Sequence, residues 1–340
     1  MRIRFLTGTP LDVRRGSGTF VGITVLARAL EKLGHTVRIE TPQVRLPVFT
    51  AQRMLFNRAM QPDKSYDLTV GFDMDGYRIA GTPGHIASLK GIIADEVRFE
   101  FGLTRVTMGI QARREGVHVR RASRVLVTSQ YSSCKVQEFY APERKPVIVP
   151  ELIDLSEWRG WLARNPARAG RFTVLYVGRF YRRKRVDVLL RAVSMLGARI
   201  PELELRIVGN GPRDAAWRHL SHTLGLSQTV TWLGDVSRAQ LAAEFNRTHA
   251  FCLPSVQEGF GIVLLEAMAA GKPIVASRAG AIPEVAPRAQ LVAPDDPEAL
   301  AAGIETLYRA PDCGRPEPGW VEQFDAPRVS RQFLDAVSSE

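Results

Sequence analysis

The sequence predicts an α/β protein of two doubly wound domains, each a parallel sheet covered by helices on both faces. Three observations carry that expectation. Short apolar, β-branched runs alternate with amphipathic stretches almost from end to end. Six such runs occur in each half. The 340 residues also exceed one compact core and fit two domains of roughly 150–170 residues each. Buried strands alternating with helices demand right-handed crossovers, hence parallel pairing.

In the first half the runs are IRFLT (3–7), TVRIE (36–40), DLTVGF (67–72), IASLK (86–90), RVLVTS (124–129) and PVIVP (146–150). Between the first two, Val21, Val25, Leu26, Ala29, Leu30 and Leu33 recur at helical spacing, and Gly34 stands where a C-terminal glycine cap belongs. In the second half TVLYVGR (173–179), LELRIVG (203–209), TVTWLG (229–234), AFCLPS (250–255), PIVAS (273–277) and QLVAP (290–294) read as strands. Helices separate them, among them 186–196 and 237–245, the latter begun by Ser237 as N-cap. Asp296-Pro297 opens another, a capping residue followed by proline at the first helical position. The polar, aperiodic stretch 161–172 reads as the linker, giving domains of 1–165 and 166–321. A final amphipathic segment lies in 322–340, with Val329, Phe333, Leu334 and Val337 on one face. Ligand sites are expected at the carboxyl ends of the strands, in a cleft between the domains.

Composition narrows the function classes. Hydrophobic residues at 45% and charged residues at 24% exclude a disordered chain. No apolar run is long enough to cross a bilayer, and the first apolar stretch is too short for a signal-peptide core. Cys134, Cys252 and Cys313 lie far apart with no CxxC pair, which offers neither a disulfide framework nor a zinc site. A reduced, soluble, cytoplasmic protein is expected. The net charge is +11, with 24 basic and 16 acidic residues in 1–160 against 22 and 19 in the remainder. Such an excess suits a phosphate-bearing partner, or serves solubility alone.

The most specific motif is Glu258-Gly259-Phe260-Gly261-Ile262-Val263-Leu264-Leu265-Glu266, followed by AMAAGKPIVAS. It leaves a strand end, turns through two glycines and enters a helix near Gly261, where exposed N–H groups form an anion site. The glutamates stand eight residues apart, about two helical turns, so both could face one side of the cleft. Spacing alone equally fits a turn with Glu258 solvated and Glu266 salt-bridged on a helix surface. RRKR (182–185), directly after a buried strand, fits phosphate binding better than a nucleic-acid patch, and no nucleic-acid partner is expected.

EGFGIVLLEAMAAGKPIVAS closely resembles the Glu-(seven residues)-Glu signature of the retaining, nucleotide-sugar-dependent glycosyltransferases of family four. These have the GT-B fold, two Rossmann-like domains facing across a cleft. VGRFYRRKRVDVLLRA resembles the family's diphosphate-holding segment, with Arg179 and Lys184 in the places of its arginine and lysine, and with Arg185 where the family usually has glycine. RIVGNGP (206–212) looks like its nucleotide-side loop. The resemblance implies a hexosyltransferase-type enzyme. In it Glu258 accepts hydrogen bonds from the donor sugar and Glu266 from the ribose. Gly259, Phe260, Gly261, Ile262 and Val263 offer backbone donors, Gly209 and Val236 lie beside the base, and Arg179 and Lys184 neutralise the leaving diphosphate. Two cations and a helix N-terminus imply no metal and no cofactor; Asp73-Met74-Asp75 is the one DxD-type pair at a strand end. The nucleotide sugar is the substrate, UDP-linked by default. The resemblance also implies that the final helix crosses back onto the first domain, with hinges near 161–172 and 311–322.

In the first domain Gly16 and Gly18 fail the dinucleotide fingerprint, because Val21 stands where its third glycine belongs. The resemblance implies they approach the donor phosphate; a plain tight turn is the other reading. Where the family often has histidine after a strand, this chain has Lys90, taken as the catalytic candidate there; His85 lies at the beginning of that strand and His35 reads as a turn residue. Two rival readings are an epimerase of the same fold, for which the first half is poor in histidine, and a non-catalytic basic binding protein. The acceptor is unidentified. Arg113, Arg114, Arg120, Arg121 and Arg124 lie in or beside one predicted helix. They are expected to meet an anionic or lipid-linked acceptor, or to hold the protein reversibly at an anionic membrane; a solvated helix face is the alternative.

Overall fold

The structure is a computed structural model that describes residues 1–9, 18–44, 46–167 and 170–338. It divides into two compact units, 1–152 with 326–340, and 153–325.

The first unit runs β1 (Arg2–Leu6), α1 (Gly18–Lys32), β2 (Thr36–Glu40), α2 (Phe49–Ala59), β3 (Leu68–Phe72), β4 (His85–Leu89), α3 (Ile93–Val97), α4 (Gly102–Arg121), β5 (Arg124–Val127), α5 (Gln130–Tyr140) and β6 (Val147–Ile148). The second holds α6 (Leu155–Arg164), β7 (Thr173–Val177), α7 (Val186–Leu196), β8 (Glu204–Val208), α8 (Asp214–Thr223), β9 (Val230–Gly234), α9 (Arg238–Arg247), β10 (Ala250–Leu253), α10 (Ile262–Ala269), β11 (Ile274–Ser277), α11 (Ile282–Val285), β12 (Gln290–Val292) and α12 (Pro297–Arg309). The last helix, α13 (Ala326–Ser338), returns to the first unit.

Each unit contains one six-stranded sheet, ordered β2-β1-β3-β4-β5-β6 and β12-β11-β10-β7-β8-β9, with every pairing parallel. The order reverses between β1 and β3 in the first sheet and between β7 and β10 in the second. Crossovers leave to opposite faces on either side of such a reversal, so the carboxyl ends of those two strands border an open crevice.

The division falls at 152/153 rather than at 165, and the return at 325/326 rather than at 321. The stretch read as a linker from 161 begins inside α6. The cause is Trp158, which is wholly buried with its ring edge-on to Phe245 of α9 at 5.7 Å. Full burial of a large side chain is worth on the order of 1.5–3 kcal/mol, which holds α6 in the second unit. There the two crossings lie side by side: the Ile153 amide donates to the Phe324 carbonyl at 3.0 Å and the Leu155 amide to the Asp325 carboxylate at 3.1 Å. In the first unit α13 buries Val329 and Phe333 against Ile3, Phe5, Ile23 and Leu30, with Arg328, Arg331 and Asp335 outward. Phe5 sits edge-on to Phe72 at 5.1 Å and to Phe333 at 6.4 Å.

Candidate functional site

Of the site residues named from sequence, those of the second unit lie on the loops at the carboxyl ends of β7, β8, β9 and β10 or on α10, which follows the last of them. Their backbones are laced together: the Gly178 amide donates to Val208, the Gly209 amide to Gly234, and the Phe180 amide to Asn210, at 2.8–3.1 Å. Gly209 permits this, with φ +121° and a would-be Cβ 2.0 Å from the Gly178 carbonyl oxygen. Arg179 donates to Asn210, which donates in turn to Asp235. Val236 is half-buried immediately before Ser237, whose hydroxyl and Gln240 form a capping box that starts α9.

Beyond Arg179 a 3-10 turn over Arg182–Lys184 delivers Lys184 to Glu258, and the two form an ion pair. Arg185 takes φ +48°, in the left-handed region that favours glycine, and its guanidinium meets Asp295 at 2.8 Å. Burial alone would raise the Glu258 pKa, but Lys184 and Arg183 beside it hold it below the usual carboxylate range. The Glu258 carbonyl accepts from the Ala281 amide at 2.9 Å. That approach needs Gly280, where a Cβ would stand 2.4 Å from the same oxygen. The glycine carries no sequence signal beyond its position after a strand. Gln257, 1% exposed, leaves both polar atoms of its amide without a partner, which a polar ligand at this loop could satisfy.

Glu258 and Glu266 are not on consecutive turns of one helix. Gly261 caps α10 at φ +88°, so Glu258 lies in the preceding loop and Glu266 inside the helix. Ile262 and Val263 form its first turn, partly accessible. The Phe260 ring packs edge-on against Phe324 at 5.5 Å, which turns it away from the loop surface into the core of the unit. Glu266 is buried and accepts from Arg238 of α9. The Arg238 guanidinium lies over the Trp158 ring at 4.6 Å, and the Trp158 indole donates to the Glu266 carbonyl at 3.1 Å. Sequence reasoning missed both residues. The signal available was an arginine immediately after the Ser237 N-cap.

In the first unit Gly16 lies outside the described residues, and Gly18 opens α1. Lys90 ends up otherwise than a substrate-facing cation requires. Its ammonium is 2.9 Å from Glu151, both side chains are buried, and it sits 5.8 Å from the centre of the Phe72 ring. A charge taken out of water demands a partner, and Glu151 supplies it by packing against α1 at Gly22, where a Cβ would come within 2.3 Å of the carboxylate. The DxD pair is also accounted for. Asp75 receives Arg53 at 2.7 Å, Asn57 at 2.9 Å and the Gly8 amide at 2.5 Å. Asp73, in the left-handed region at φ +53°, receives the Lys90 amide at 2.9 Å, and burial pushes its pKa up to about 6. His85 is buried with its Nε2 2.8 Å from that of His118, whose Nδ1 meets the Asp73 carbonyl at 2.6 Å. Burial lowers the two imidazoles to about 2 and about 4. Among the described residues no group of His, Cys, Asp or Glu is arranged to hold a metal ion, and no helix is long and apolar enough to cross a membrane.

Residues 161–315, all of them in the second unit, match the family model of the glycosyl transferases group 1. That segment is similar to the members of that family. The D-inositol 3-phosphate glycosyltransferase of Streptomyces scabiei is 32% identical over 213 residues, which span 57% of this chain and 48% of that protein. The chain thus spans about half the length of the curated relatives it matches. Two solved structures share the fold over essentially the whole chain. Sucrose-phosphate synthase from Thermosynechococcus elongatus has TM-score 0.81 at 21% identity, covering 98% of this chain and 97% of that one. Anabaena HepE, solved with UDP and glucose, has TM-score 0.73 at 18% identity with complete coverage of both. At these identities the likeness is one of fold, and the fold is GT-B.

Proposed function

We propose that the protein is a retaining glycosyltransferase that takes a sugar from a nucleoside-diphosphate sugar, UDP-linked, and passes it to a separate acceptor. The observation that carries this is the pairing of cations and carboxylates around one loop set at the strand-order reversal of the second sheet. Arg179 and Lys184 leave β7, while the Glu258 loop and α10 leave β10. In this reading the cations stabilise the diphosphate as its charge develops on leaving, together with the backbone amides at the start of α10. Glu258 accepts from the sugar hydroxyls and Glu266 from the ribose hydroxyls, each being an acceptor with several lone pairs. The ion pair to Lys184 keeps Glu258 an acceptor, since a protonated carboxyl would offer a donor in its place. That Anabaena HepE was solved with UDP and glucose supports the choice of nucleotide. The acceptor is left to the first unit, where the buried Lys90–Glu151 pair gives Lys90 a positioning part at most.

The test is transfer and diphosphate binding by single variants. Glu258→Ala is expected to abolish transfer in a folded protein, and wild-type turnover would remove Glu258 from the mechanism. Arg179→Ala and Lys184→Ala are each expected to weaken UDP binding by about 1.5–3 kcal/mol, the range for charge-assisted hydrogen bonds. Unchanged affinity in both would move the phosphate site elsewhere, and strict dependence on Mg²⁺ would contradict a leaving group neutralised by these two cations.

A further inference from the structure

The first unit carries a surface that donor chemistry does not use. Thirteen large hydrophobic side chains are exposed among the described residues, and six of them gather at the start of α2 and along the N-terminal half of α4: Val48, Phe49, Phe101, Leu103, Val106 and Ile110. Leu103 is 77% exposed, Val106 61% and Phe101 59%. Leu103, Val106 and Ile110 follow one another at i, i+3 and i+7, a single stripe down the helix.

The two helices are joined directly beneath that stripe. The Gln111 amide donates to the Thr50 hydroxyl at 2.6 Å and Arg53 donates to Gln111 at 2.9 Å, while Thr50 donates to the Thr107 carbonyl at 3.4 Å. Met54 and Met108 pack on one cluster with Met74 and Ile93. Phe49 and Val48, beside Thr50, therefore belong to the same surface as Val106 and Ile110. The inward sides of both helices are satisfied, and the apolar stripe faces water with arginines between and beyond its members.

Charge decides what such a surface fits. Arg58, Arg105, Arg113, Arg114, Arg120 and Arg121 are all exposed on these two helices. Their one acidic residue, Glu115, is wholly buried, taking the Tyr140 hydroxyl at 2.5 Å and the Ile93 amide at 2.8 Å. Arg105 lies between Leu103 and Val106, and Arg113 extends the apolar stripe by one turn. A second copy packed symmetrically on this face would set arginine against arginine. An anionic bilayer offers an acyl layer for the stripe and phosphates for the guanidinium groups, the arrangement in which interfacial helices lie in the plane of a membrane.

We infer that the start of α2 and the N-terminal half of α4 form a peripheral docking surface for an anionic phospholipid bilayer. This goes beyond the transferase reading and does not depend on it, because the surface shares no residue with the donor loops. The arginines draw the protein in, each being worth about a fivefold gain in partitioning near an anionic surface. The apolar stripe holds it there, with Leu103 and Val106 immersed at the acyl boundary.

The experiment is flotation of the full chain with vesicles of phosphatidylcholine alone or mixed with phosphatidylglycerol, at low and high salt. The wild type is expected to float with the mixed vesicles and to lose part of that binding in high salt. Leu103→Asp should weaken binding by about tenfold or more, and Arg105→Glu or Arg113→Glu by at least about fivefold each. Arg309→Glu, on α12 of the other unit, should change nothing. Thermal melting and UDP binding of the Leu103 and Arg105 variants should match the wild type, since these side chains are exposed. Glu258→Ala should float normally, so failure of the donor reading and failure of this one are read separately. No flotation with mixed vesicles at low salt would overturn the inference, as would flotation unaffected by Leu103→Asp. A lipid-free dimer that Leu103→Asp disperses would overturn it in favour of a second copy.

Discussion

Lys184→Ala is expected to destabilise the protein as well as weaken its hold on a diphosphate. Removing one partner of a buried ion pair typically costs about 3–5 kcal/mol, because the remaining charge is left in a poorly solvating place. Here the two side chains retain 13% and 11% exposure, and Arg183 stands near Glu258 as a second cation. The expectation is therefore about 2–3 kcal/mol, or a fall of about 5–10 °C in melting temperature for a unit of this size. Glu258→Ala should cost less, about 1 kcal/mol, because a lysine stem can swing its ammonium into water. The double variant should then be more stable than Lys184→Ala alone, a coupling of about 1–2 kcal/mol. The assay is urea unfolding of the four proteins at pH 7. The Glu258 pKa is depressed in the fold, so its stabilisation is present above the unfolded carboxyl value and lost as pH falls through the folded one. The gap between wild type and Lys184→Ala should accordingly close in acid. A Lys184→Ala protein as stable as wild type, or a double variant that simply sums the singles, would refute the argument.

Three further expectations rest on single contacts. Arg238→Ala should weaken UDP binding by about 1.5–3 kcal/mol while leaving the weaker binding of 2′-deoxy-UDP nearly unchanged, as the proposed contact of Glu266 with the ribose requires, because Arg238 holds Glu266; equal losses for both nucleotides would remove that role. Gly280→Ala puts a Cβ against the Glu258 carbonyl at φ +57°, a strain of about 1–3 kcal/mol, and should reduce transfer more than diphosphate binding. Unaltered turnover per folded molecule would show that the loop adapts. His85 and His118 have depressed folded pKa values of about 2 and about 4, so the stability they hold is complete above the unfolded histidine value and lost as pH falls below it. At pH 5 the loss is about 2 kcal/mol per histidine, and a melting temperature flat from pH 7 to pH 5 would contradict it.

The sequence by itself determined the architecture and the glycine turn that opens α10. Period-two apolar runs and helical repeats are recorded locally, residue by residue, so both sheets, the Gly34 cap and the helix start after Gly261 could be read directly. Some strands came out shorter than their apolar runs, as with Val147–Ile148, because pairing ends where a neighbour ends. Tertiary structure alone decided which charges meet. Lys90 finds Glu151 across 61 residues, Arg238 finds Glu266 across 28, and Asp75 collects donors from two separate segments, the Gly8 loop and α2. It also decided that α6 belongs to the second unit, through the burial of Trp158 against Phe245. The physical reason is the same in each case. A hydrophobic period states which face is buried and says nothing of what it is buried against. Strand order, which no local pattern encodes, sets the partner each buried charge must find.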